Sequence, residues 1–314
     1  MEMTSRPCPL CGSLDSSQIF AAADFDVERL GNFSFASRKL PEYMHYRLIK
    51  CPSCDLLYAN PLPGEDYLSQ GYSEAAYDSG IEAHYAAATY AKLLSRFAQQ
   101  LPNRHGALDI GAGDGAFLEC LLALGFDQVV GVEPSRAPIA AARPQIKPLI
   151  RKGNFRCDDF AAGSLSLVTC FQTLEHLYDP LAMAKAAYRL LKAGGAAFFI
   201  CHNRRALSAQ LLGKKSPIFD IEHLQLFSPS SARYLLKQAG FTEIRLLPVL
   251  NRYPLRYWLR LLPLPPGLKR QIIGALDQVG AGGWPLSIPA GNIAVFGFKP
   301  GMDQNPENNV AKPA

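Results

Sequence analysis

Residues 108–119 read Leu-Asp-Ile-Gly-Ala-Gly-Asp-Gly-Ala-Phe-Leu-Glu and contain the pattern D-x-G-x-G-x-G. An acid, Asp109, follows an apolar run, and a helical pattern starts at Ala116. Between them glycines occupy alternating positions, Gly111, Gly113 and Gly115. This order predicts a strand, a tight turn and a helix N-terminus, where a nucleotide-like ligand can lie against bare backbone. The spacing differs from the dinucleotide pattern G-x-G-x-x-G and therefore indicates another cofactor.

The next apolar run, Gln128-Val-Val-Gly-Val-Glu133, also ends in an acid. A carboxylate at that point can accept hydrogen bonds from both hydroxyls of a ribose. Its distance of about twenty residues from the glycine turn is the usual reach across one βαβ unit. We therefore expect Glu133 and the glycine turn to hold one ligand, with Asp109 beneath the turn near the charged end of that ligand.

Strand and helix patterns alternate from residue 101 to about 251, which predicts an α/β fold with a doubly wound, mostly parallel sheet. Seven strands are expected, at 107–110, 128–132, 147–150, 165–171, 196–201, 243–250 and 292–298. Helical patterns are found at 81–100, 115–124, 180–192 and 228–239.

The glycine pattern together with Glu133 resembles the class I S-adenosylmethionine-dependent methyltransferases. Two later stretches, Thr173-Leu-Glu-His-Leu-Tyr-Asp-Pro180 and His223-Leu-Gln-Leu-Phe-Ser-Pro229 followed by Ala239-Gly-Phe241, are also similar to that family. The resemblance covers about residues 65–300. It implies a Rossmann-like core in which the glycine turn approaches the methionine part of S-adenosylmethionine (SAM) and the acid on the second strand holds the ribose.

The chain departs from the family pattern at two places. Leu165-Ser166 stands on the fourth strand where the family usually has Phe-Asp, and Asn154 stands where an acid usually approaches the adenine. An Asn can still hydrogen-bond the adenine amino group, and Phe155 can stack on the ring. The nearby Asp158 and Asp159 are alternatives for that role. We also assign Gln172, at the end of the fourth strand, to the cofactor site.

Four of the eight cysteines form two Cys-x-x-Cys pairs about forty residues apart. Four thiolates can bind Zn²⁺ tetrahedrally, and a closed site of this kind is structural. Gly12 fits the turn that points backbone amides at the sulfurs. The predicted ligands are Cys8, Cys11, Cys51 and Cys54. Two unrelated redox pairs are the alternative.

A zinc-ribbon-like module beside such a core resembles an arrangement of sugar and natural-product methyltransferases. Some ribosomal RNA methyltransferases share it, which supplies a rival interpretation.

Changes in pattern divide the chain into four parts. Residues 1–62 form the zinc-binding module, and the Pro- and Gly-containing stretch 60–64 marks its end. Residues 63–100 form a helical linker that caps the cofactor, where Tyr72 and Tyr77 close the site or simply pack. Residues 101–300 form the core, with an insertion at 252–290, and residues 301–314 form a polar, disordered tail.

Methyl transfer to a hydroxyl or a carbon acid needs alignment and a base, and histidine suits that role near neutral pH. Three histidines, His176, His202 and His223, fall at predicted strand ends on the ligand side. We rank His223 first as the catalytic base and His176 second. Glu175 could orient or cap its neighbourhood. A purely structural role is the alternative for each of these residues.

The insertion 252–290 is rich in Pro, Leu and Arg. Arg252, Arg256 and Arg260 recur at every fourth residue, which predicts a basic ridge on a helix. This helix could be a lid over a phosphate-bearing substrate, an interfacial helix that makes peripheral membrane contact through 252–270, or an ordinary helix with a solvated basic face.

The bulk composition is that of an ordinary globular protein, with 48% hydrophobic and 19% charged residues in 314. No apolar run approaches the roughly 18–20 residues of a membrane span, and the N-terminus lacks the apolar segment of a signal peptide. We therefore expect a cytoplasmic protein. The net charge of +5 is too small to indicate nucleic acid by itself.

The cysteine pairs predict a structural Zn²⁺, and the family resemblance implies an enzyme that uses SAM. It would methylate an oxygen or carbon of a small molecule such as a sugar, a polysaccharide precursor or another secondary metabolite. One alternative is an RNA methyltransferase that grips its substrate with the zinc module. Another is an inactive binding protein that retains the cofactor fold.

Overall fold

A computed structural model describes residues 2–31, 34–36, 41–76 and 80–301. Within these ranges no helix combines the length and the apolar composition that crossing a membrane requires. Tyr77, assigned above to the cofactor cap, and the tail after residue 301 lie outside the described residues.

The strands are short in the N-terminal part and longer in the core. In chain order they are β1 (Met3–Thr4), β2 (Ile19–Ala21), β3 (Leu48–Lys50), β4 (Leu57–Ala59), β5 (Leu62–Pro63), β6 (His105–Ile110), β7 (Asp127–Glu133), β8 (Ile150–Lys152), β9 (Leu165–Phe171), β10 (Leu191–His202), β11 (Gln225–Leu226), β12 (Thr242–Pro248), β13 (Asn251–Pro254), β14 (Pro285–Ile288) and β15 (Asn292–Phe298).

The helices connect these strands. They are α1 (Glu65–Glu74), α2 (Gly80–Ser95), α3 (Ala116–Ala123), α4 (Arg136–Ala141), α5 (Pro180–Leu190), α6 (Leu207–Leu212), α7 (Pro229–Gln238), α8 (Leu255–Leu261) and α9 (Pro266–Gln278). Side chains fix some of their starts: Asp179 accepts the Ala182 amide at the start of α5, and Ser228 and Ser231 form a capping box at the start of α7.

A seven-stranded sheet in the order β12-β15-β10-β9-β6-β7-β8 forms the core. The five strands from β10 to β8 are parallel, whereas β15 runs antiparallel to both β10 and β12. The central strands read as nearly continuous apolar runs because helices cover both faces of the sheet. The rings of Phe198 and Phe296 stack at 4.0 Å on neighbouring strands. The predicted doubly wound α/β class is therefore confirmed.

The N-terminal strands β2, β3 and β4 form a second sheet whose fourth strand, β11, comes from the core. Gln225 and Leu226 pair with Tyr58 and Leu57 in this sheet. The N-terminal residues are thus joined to the core by backbone hydrogen bonds as well as by the chain itself.

Two local predictions are wrong. The third core strand was expected at 147–150, but Lys147–Leu149 forms a 3₁₀ turn and the strand begins at Ile150. Pro148 has no N–H to give to a sheet ladder, which explains the later start.

The prediction that three arginines form one helical ridge is also wrong, because Arg252 lies on β13 and only Arg256 and Arg260 lie on α8. Pro254 immediately precedes that helix and cannot supply an interior helical hydrogen bond.

Candidate active site

A cavity of about 650 Å³ opens at the carboxyl ends of β6, β7, β9 and β10. Ligands of open α/β sheets bind at this edge. The glycine turn, Glu133 and Asn154 line one part of it, and the three predicted histidines line another. The helices α1, α2 and α8 also contribute to its wall through Tyr72, Tyr90, Tyr257 and other residues.

The glycine turn has a left-handed backbone at each of its three glycines, with φ of 79° at Gly111, 58° at Gly113 and 76° at Gly115. A Cβ atom at Gly111 would lie 2.2 Å from Oγ1 of Thr173, so that position has no room for a side chain. A Cβ at Gly113 would meet no atom within 4 Å. Gly113 therefore presents bare backbone to the open cavity, as a ligand cradle requires.

Glu133 lies at the end of β7 and is buried against the glycine turn. Its Oε2 accepts the amide of Gly113 at 2.9 Å and its Oε1 accepts the amide of Ser135 at 2.8 Å. Burial raises the pKa of this carboxyl, while the two amide hydrogen bonds lower it. Each carboxylate oxygen can accept a second hydrogen bond, so the group can hold two ribose hydroxyls without leaving the turn.

Asp109 ends β6 beneath the turn and lines the cavity. Its Oδ1 accepts the hydroxyl of Thr169 at 2.6 Å. Burial raises the pKa of this carboxyl to about 7. The free-energy cost of ionising this buried carboxyl would fall if a cationic group entered the cavity beside it.

Of the residues expected near an adenine, only some lie at the cavity. Asn154 and Phe155 line the cavity, and Asn154 Nδ2 donates to Oγ of Ser69 on α1 at 2.8 Å. Asp158 instead accepts Arg189 Nη2 at 2.6 Å on an exposed surface, and neither Asp158 nor Asp159 lines the cavity.

Gln172 lies at the end of β9 and lines the cavity with a left-handed φ of 51°. Its amide donates to the Ile200 carbonyl at 2.6 Å, which fixes the turn. A non-glycine residue in this conformation is uncommon, and here it turns the chain at the carboxyl end of β9 beside the cavity.

Ser166, the other departure from the family pattern, lies far from the ligand edge. It is buried near the start of β9, where its one hydroxyl proton has two acceptors in reach, Oδ1 of Asn103 at 2.5 Å and the His105 carbonyl at 2.8 Å. The change from Asp to Ser at this position therefore alters the amino end of the sheet and leaves the cavity untouched.

Three histidine rings gather at the far part of the cavity. The ring centroid of His223 lies 5.0 Å from that of His176 and 5.0 Å from that of His202. The sequence predicts that all three lie at the ligand edge, but their separation along the chain gives no indication that they touch.

Carbonyl oxygens face Nδ1 of all three rings. Nδ1 of His223 lies 2.8 Å from the Ile218 carbonyl, that of His176 3.0 Å from the Glu222 carbonyl, and that of His202 2.8 Å from Oδ1 of Asn292. Because a carbonyl only accepts, each neutral ring carries its proton on Nδ1 and its lone pair on Nε2. Nε2 of His223 lies 3.7 Å from Oε1 of Glu222.

Glu175 is buried beside His202, the half-buried third member of this cluster. Oε1 of Glu175 accepts the His202 amide at 2.5 Å, and Oε2 has no hydrogen-bond partner among the described residues. Burial raises the pKa of Glu175 to about 7 and lowers the pKa of His202 to about 4. His202 is therefore neutral near pH 7, and a proton on Glu175 is held far more readily than on an exposed carboxylate.

Tyr72 on α1 contacts both parts of the cavity. Its hydroxyl donates to the Glu222 carbonyl at 2.7 Å and lies 3.2 Å from Nδ1 of His176. Its own carbonyl accepts the Ser135 hydroxyl at 2.5 Å, beside Glu133.

The four cysteines of the N-terminal pairs come together as predicted by their spacing. All four Sγ atoms lie within 4.8 Å of one another, and the Cys8–Cys54 and Cys11–Cys51 pairs are each 3.4 Å apart. A set of four close thiols, three of them buried, fits tetrahedral Zn²⁺ and leaves no open coordination position.

Each cysteine knuckle is followed by a residue in the left-handed conformation, Gly12 with φ of 71° and Asp55 with φ of 61°. Sequence reasoning identified Gly12 but missed Asp55. The Asp55 carboxylate forms ion pairs with Arg204 and Arg205 after β10 and accepts the hydroxyl of Ser230. Asp55 lies four residues after a metal-ligand cysteine, as Gly12 does, and this position in the sequence could have identified it.

Arg6 forms a second link between the cysteine module and the cavity wall. Its guanidinium donates to the carbonyls of Tyr178 and Leu224, each at 3.0 Å, and to Oε1 of Gln225. Gln225 Nε2 in turn donates to the Leu174 carbonyl at 2.6 Å. The module thereby supports the two segments that carry His176 and His223.

The sheet order, the glycine turn and the acid on the adjacent strand define a class I SAM-dependent methyltransferase fold. The bare backbone at Gly113 and the carboxylate of Glu133 on one cavity wall fit the cofactor of that class. The chain belongs to the methyltransferase domain family, whose model matches residues 83–246.

Curated relatives and solved structures are similar to this chain. A ubiquinone biosynthesis O-methyltransferase of Aromatoleum aromaticum is 30% identical over 45% of this chain and 65% of its own length. One of the same name from Acinetobacter baumannii is 29% identical over 48% of this chain and 70% of its own length. A SAM-dependent methyltransferase from Archaeoglobus fulgidus superimposes with a TM-score of 0.47 and 16% identity, covering 75% of this chain and all of that one (100%). The match to the first relative thus spans slightly less than two thirds of its length.

Proposed function

We propose that this protein transfers the methyl group of SAM to a hydroxyl oxygen of a small molecule. The observation that carries the proposal is the shared cavity: Glu133 and the glycine turn line one part, and His223 and His176 line the other. The curated relatives are named as O-methyltransferases, which supports oxygen over carbon as the acceptor atom.

In this proposal the chain aligns two ligands and moves one proton. When bound, SAM supplies an electrophilic methyl group attached to a good leaving group. The Gly113 backbone and the Glu133 carboxylate hold the cofactor, with Asn154 and Phe155 at its adenine. Nε2 of His223 accepts the proton of the acceptor hydroxyl as the oxygen attacks, and the Ile218 carbonyl holds Nδ1–H, which leaves the lone pair on Nε2.

His176 is the second candidate for the base. Its ring lies beside that of His223 and has the same proton arrangement, with Nδ1 fixed by the Glu222 carbonyl. We assign it a positioning role, because the Tyr72 hydroxyl also approaches its Nδ1 and ties it to the cap.

The lining of the acceptor part supports an acceptor that carries no phosphate. Asp220 and Glu222 line this part together with apolar side chains, and none of the described lining residues is a Lys or Arg. A nucleotide sugar or another phosphate ester would need cations there. Among the predicted acceptors we therefore favour a hydroxylated secondary metabolite over a sugar-phosphate precursor, and over RNA.

We also propose the division into a zinc module at 1–62, a cap at 63–100 and a core at 101–300 with its insertion at 252–290. The Arg6 and Asp55 contacts support a role for the module in bracing the acceptor segments.

A methyl-transfer assay with labelled SAM tests the function. The acceptor panel contains neutral hydroxylated aromatics, nucleotide sugars and total RNA. We expect incorporation into members of the first group alone. Incorporation into RNA or nucleotide sugars would contradict the acceptor class, and SAM binding without transfer to any acceptor would support the inactive alternative.

A further inference from the structure

We propose that residues 252–290 dock on an anionic lipid bilayer. This inference goes beyond the methyl-transfer proposal and does not depend on it. It rests on the charge, the exposed apolar surface and the position of this segment relative to the cavity.

Nearly all of the excess positive charge of the chain lies in this segment. Five of the 32 basic residues but only one of the 27 acidic residues fall within it, which gives +4 of the total net charge of +5. The acid, Asp277, lies 3.9 Å from Arg256 on an exposed surface. A surface with this one-signed excess complements anionic headgroups.

The same segment exposes large apolar side chains. The helix α9 has 13 residues and none of them is buried, although apolar residues recur along it at helical spacing. Val279 after this helix is 73% exposed, and Trp284 before β14 is 67% exposed. Leu262, Leu268 and Leu286 are exposed as well. Basic residues interleaved with exposed Leu and Trp are typical of interfacial segments, and Trp favours the boundary between headgroups and acyl chains.

The segment is held together and reaches the cavity. Trp258 Nε1 donates to the Leu286 carbonyl at 2.9 Å, and the Leu255 amide donates to the Trp284 carbonyl at 2.9 Å, so α8 is fixed to the antiparallel β13–β14 pair. The helix α9 packs on α8. Tyr257 and Leu261 of α8 line the cavity. Docking would therefore bring the cavity wall to the lipid surface and would give apolar acceptors a direct way in.

Vesicle flotation tests the proposal with the full chain. We expect the protein to float with vesicles of phosphatidylcholine and 30% phosphatidylglycerol, and to stay behind with phosphatidylcholine alone. Salt at about 0.5 M should release it, because exposed charges are then screened. The double variant Arg252→Glu/Arg270→Glu should bind at least about tenfold more weakly. Lys147→Glu/Lys237→Glu, which makes the same change in net charge at exposed sites elsewhere, should bind as the wild type does.

The two tryptophans of the chain provide an independent readout. Trp284 is exposed whereas Trp258 is buried, so anionic vesicles should shift the fluorescence of Trp258→Phe to the blue and leave that of Trp284→Phe unchanged. Equal flotation with neutral and anionic vesicles would overturn the proposal. Binding of the Arg252→Glu/Arg270→Glu variant with wild-type affinity would also overturn it. A wild-type protein that is dimeric by light scattering and does not float with vesicles would do the same.

Discussion

Nδ1 of His223 lies 2.8 Å from the carbonyl oxygen of Ile218, which fixes the proton of the neutral imidazole on Nδ1. Nε2 consequently carries the lone pair, in a cavity that Glu133 and the glycine turn also line. A base needs this arrangement, and the same hydrogen bond also suits a histidine that only satisfies a loop carbonyl, so turnover has to separate the two roles.

The first prediction concerns His223→Asn. The Asn amide can still donate to the Ile218 carbonyl but offers no basic nitrogen. We expect kcat to fall by about 10²–10⁴-fold with unchanged affinity for SAM. Steady-state kinetics combined with calorimetry separates the two effects. His105→Asn, at an exposed site on the other end of the sheet, is the matched control. Wild-type turnover in His223→Asn would remove this residue as the base and leave His176 as the candidate.

The second prediction separates two glycines of the same turn. Gly111→Ala places a methyl group against Thr173 and should lower the free energy of unfolding by about 2–5 kcal/mol. Gly113→Ala meets no atom of the chain and should cost only the left-handed backbone penalty of about 1–2 kcal/mol. Its methyl group enters the cavity, so the free energy of SAM binding should weaken by more than the free energy of unfolding falls. Chemical denaturation and SAM titration of both variants check this order. An equal loss of stability in the two would be inconsistent with the turn geometry.

The third prediction concerns the cysteine module. The protein should contain one zinc per chain by elemental analysis, and Cys51→Ser should lower the unfolding temperature by on the order of 10 °C. Because Arg6 holds the segments that carry His176 and His223, we expect turnover to fall while SAM affinity changes little. Asp15→Ala, on an exposed part of the same module, should change neither quantity. A zinc-free protein with full activity would support the redox-pair alternative.

The fourth prediction concerns pH and Asp109. Burial raises the pKa of this carboxyl from 3.8 to about 7, so between these values the folded protein binds a proton that the unfolded chain has released. Its contribution to stability is present below about pH 4 and is lost as the pH rises through 7. Asp109→Asn keeps an acceptor for Thr169 and removes this titration. Between pH 5 and 8 without SAM, we expect the free energy of unfolding of the wild type to decrease by about 2–4 kcal/mol more than that of Asp109→Asn. Parallel pH profiles of the two proteins would contradict the burial of an ionisable group at this position.

The sequence was sufficient for features with local signals. The glycine turn, the acid at the end of β7 and the paired cysteines each depend on spacing within one or two elements, and the sheet depends on the regular alternation of strands and helices. Contacts between distant segments left no such signal. The clustering of three histidine rings and the ion pairs of Asp55 bring together residues from segments that lie far apart in the chain. The prediction of an arginine ridge was wrong because a four-residue spacing does not distinguish a strand followed by a helix from one continuous helix.

Binding of SAM by Glu133 is the central claim, and calorimetric titration of the purified protein with SAM measures it most directly. The account predicts one site per chain in the wild type and in Glu119→Ala, whose carboxylate pairs with Arg143 away from the cavity. It predicts an affinity at least about tenfold lower in Glu133→Ala, because hydrogen bonds to a charged group contribute about 1.5–3 kcal/mol. Absence of binding in the wild type, or equal binding in Glu133→Ala, would contradict it.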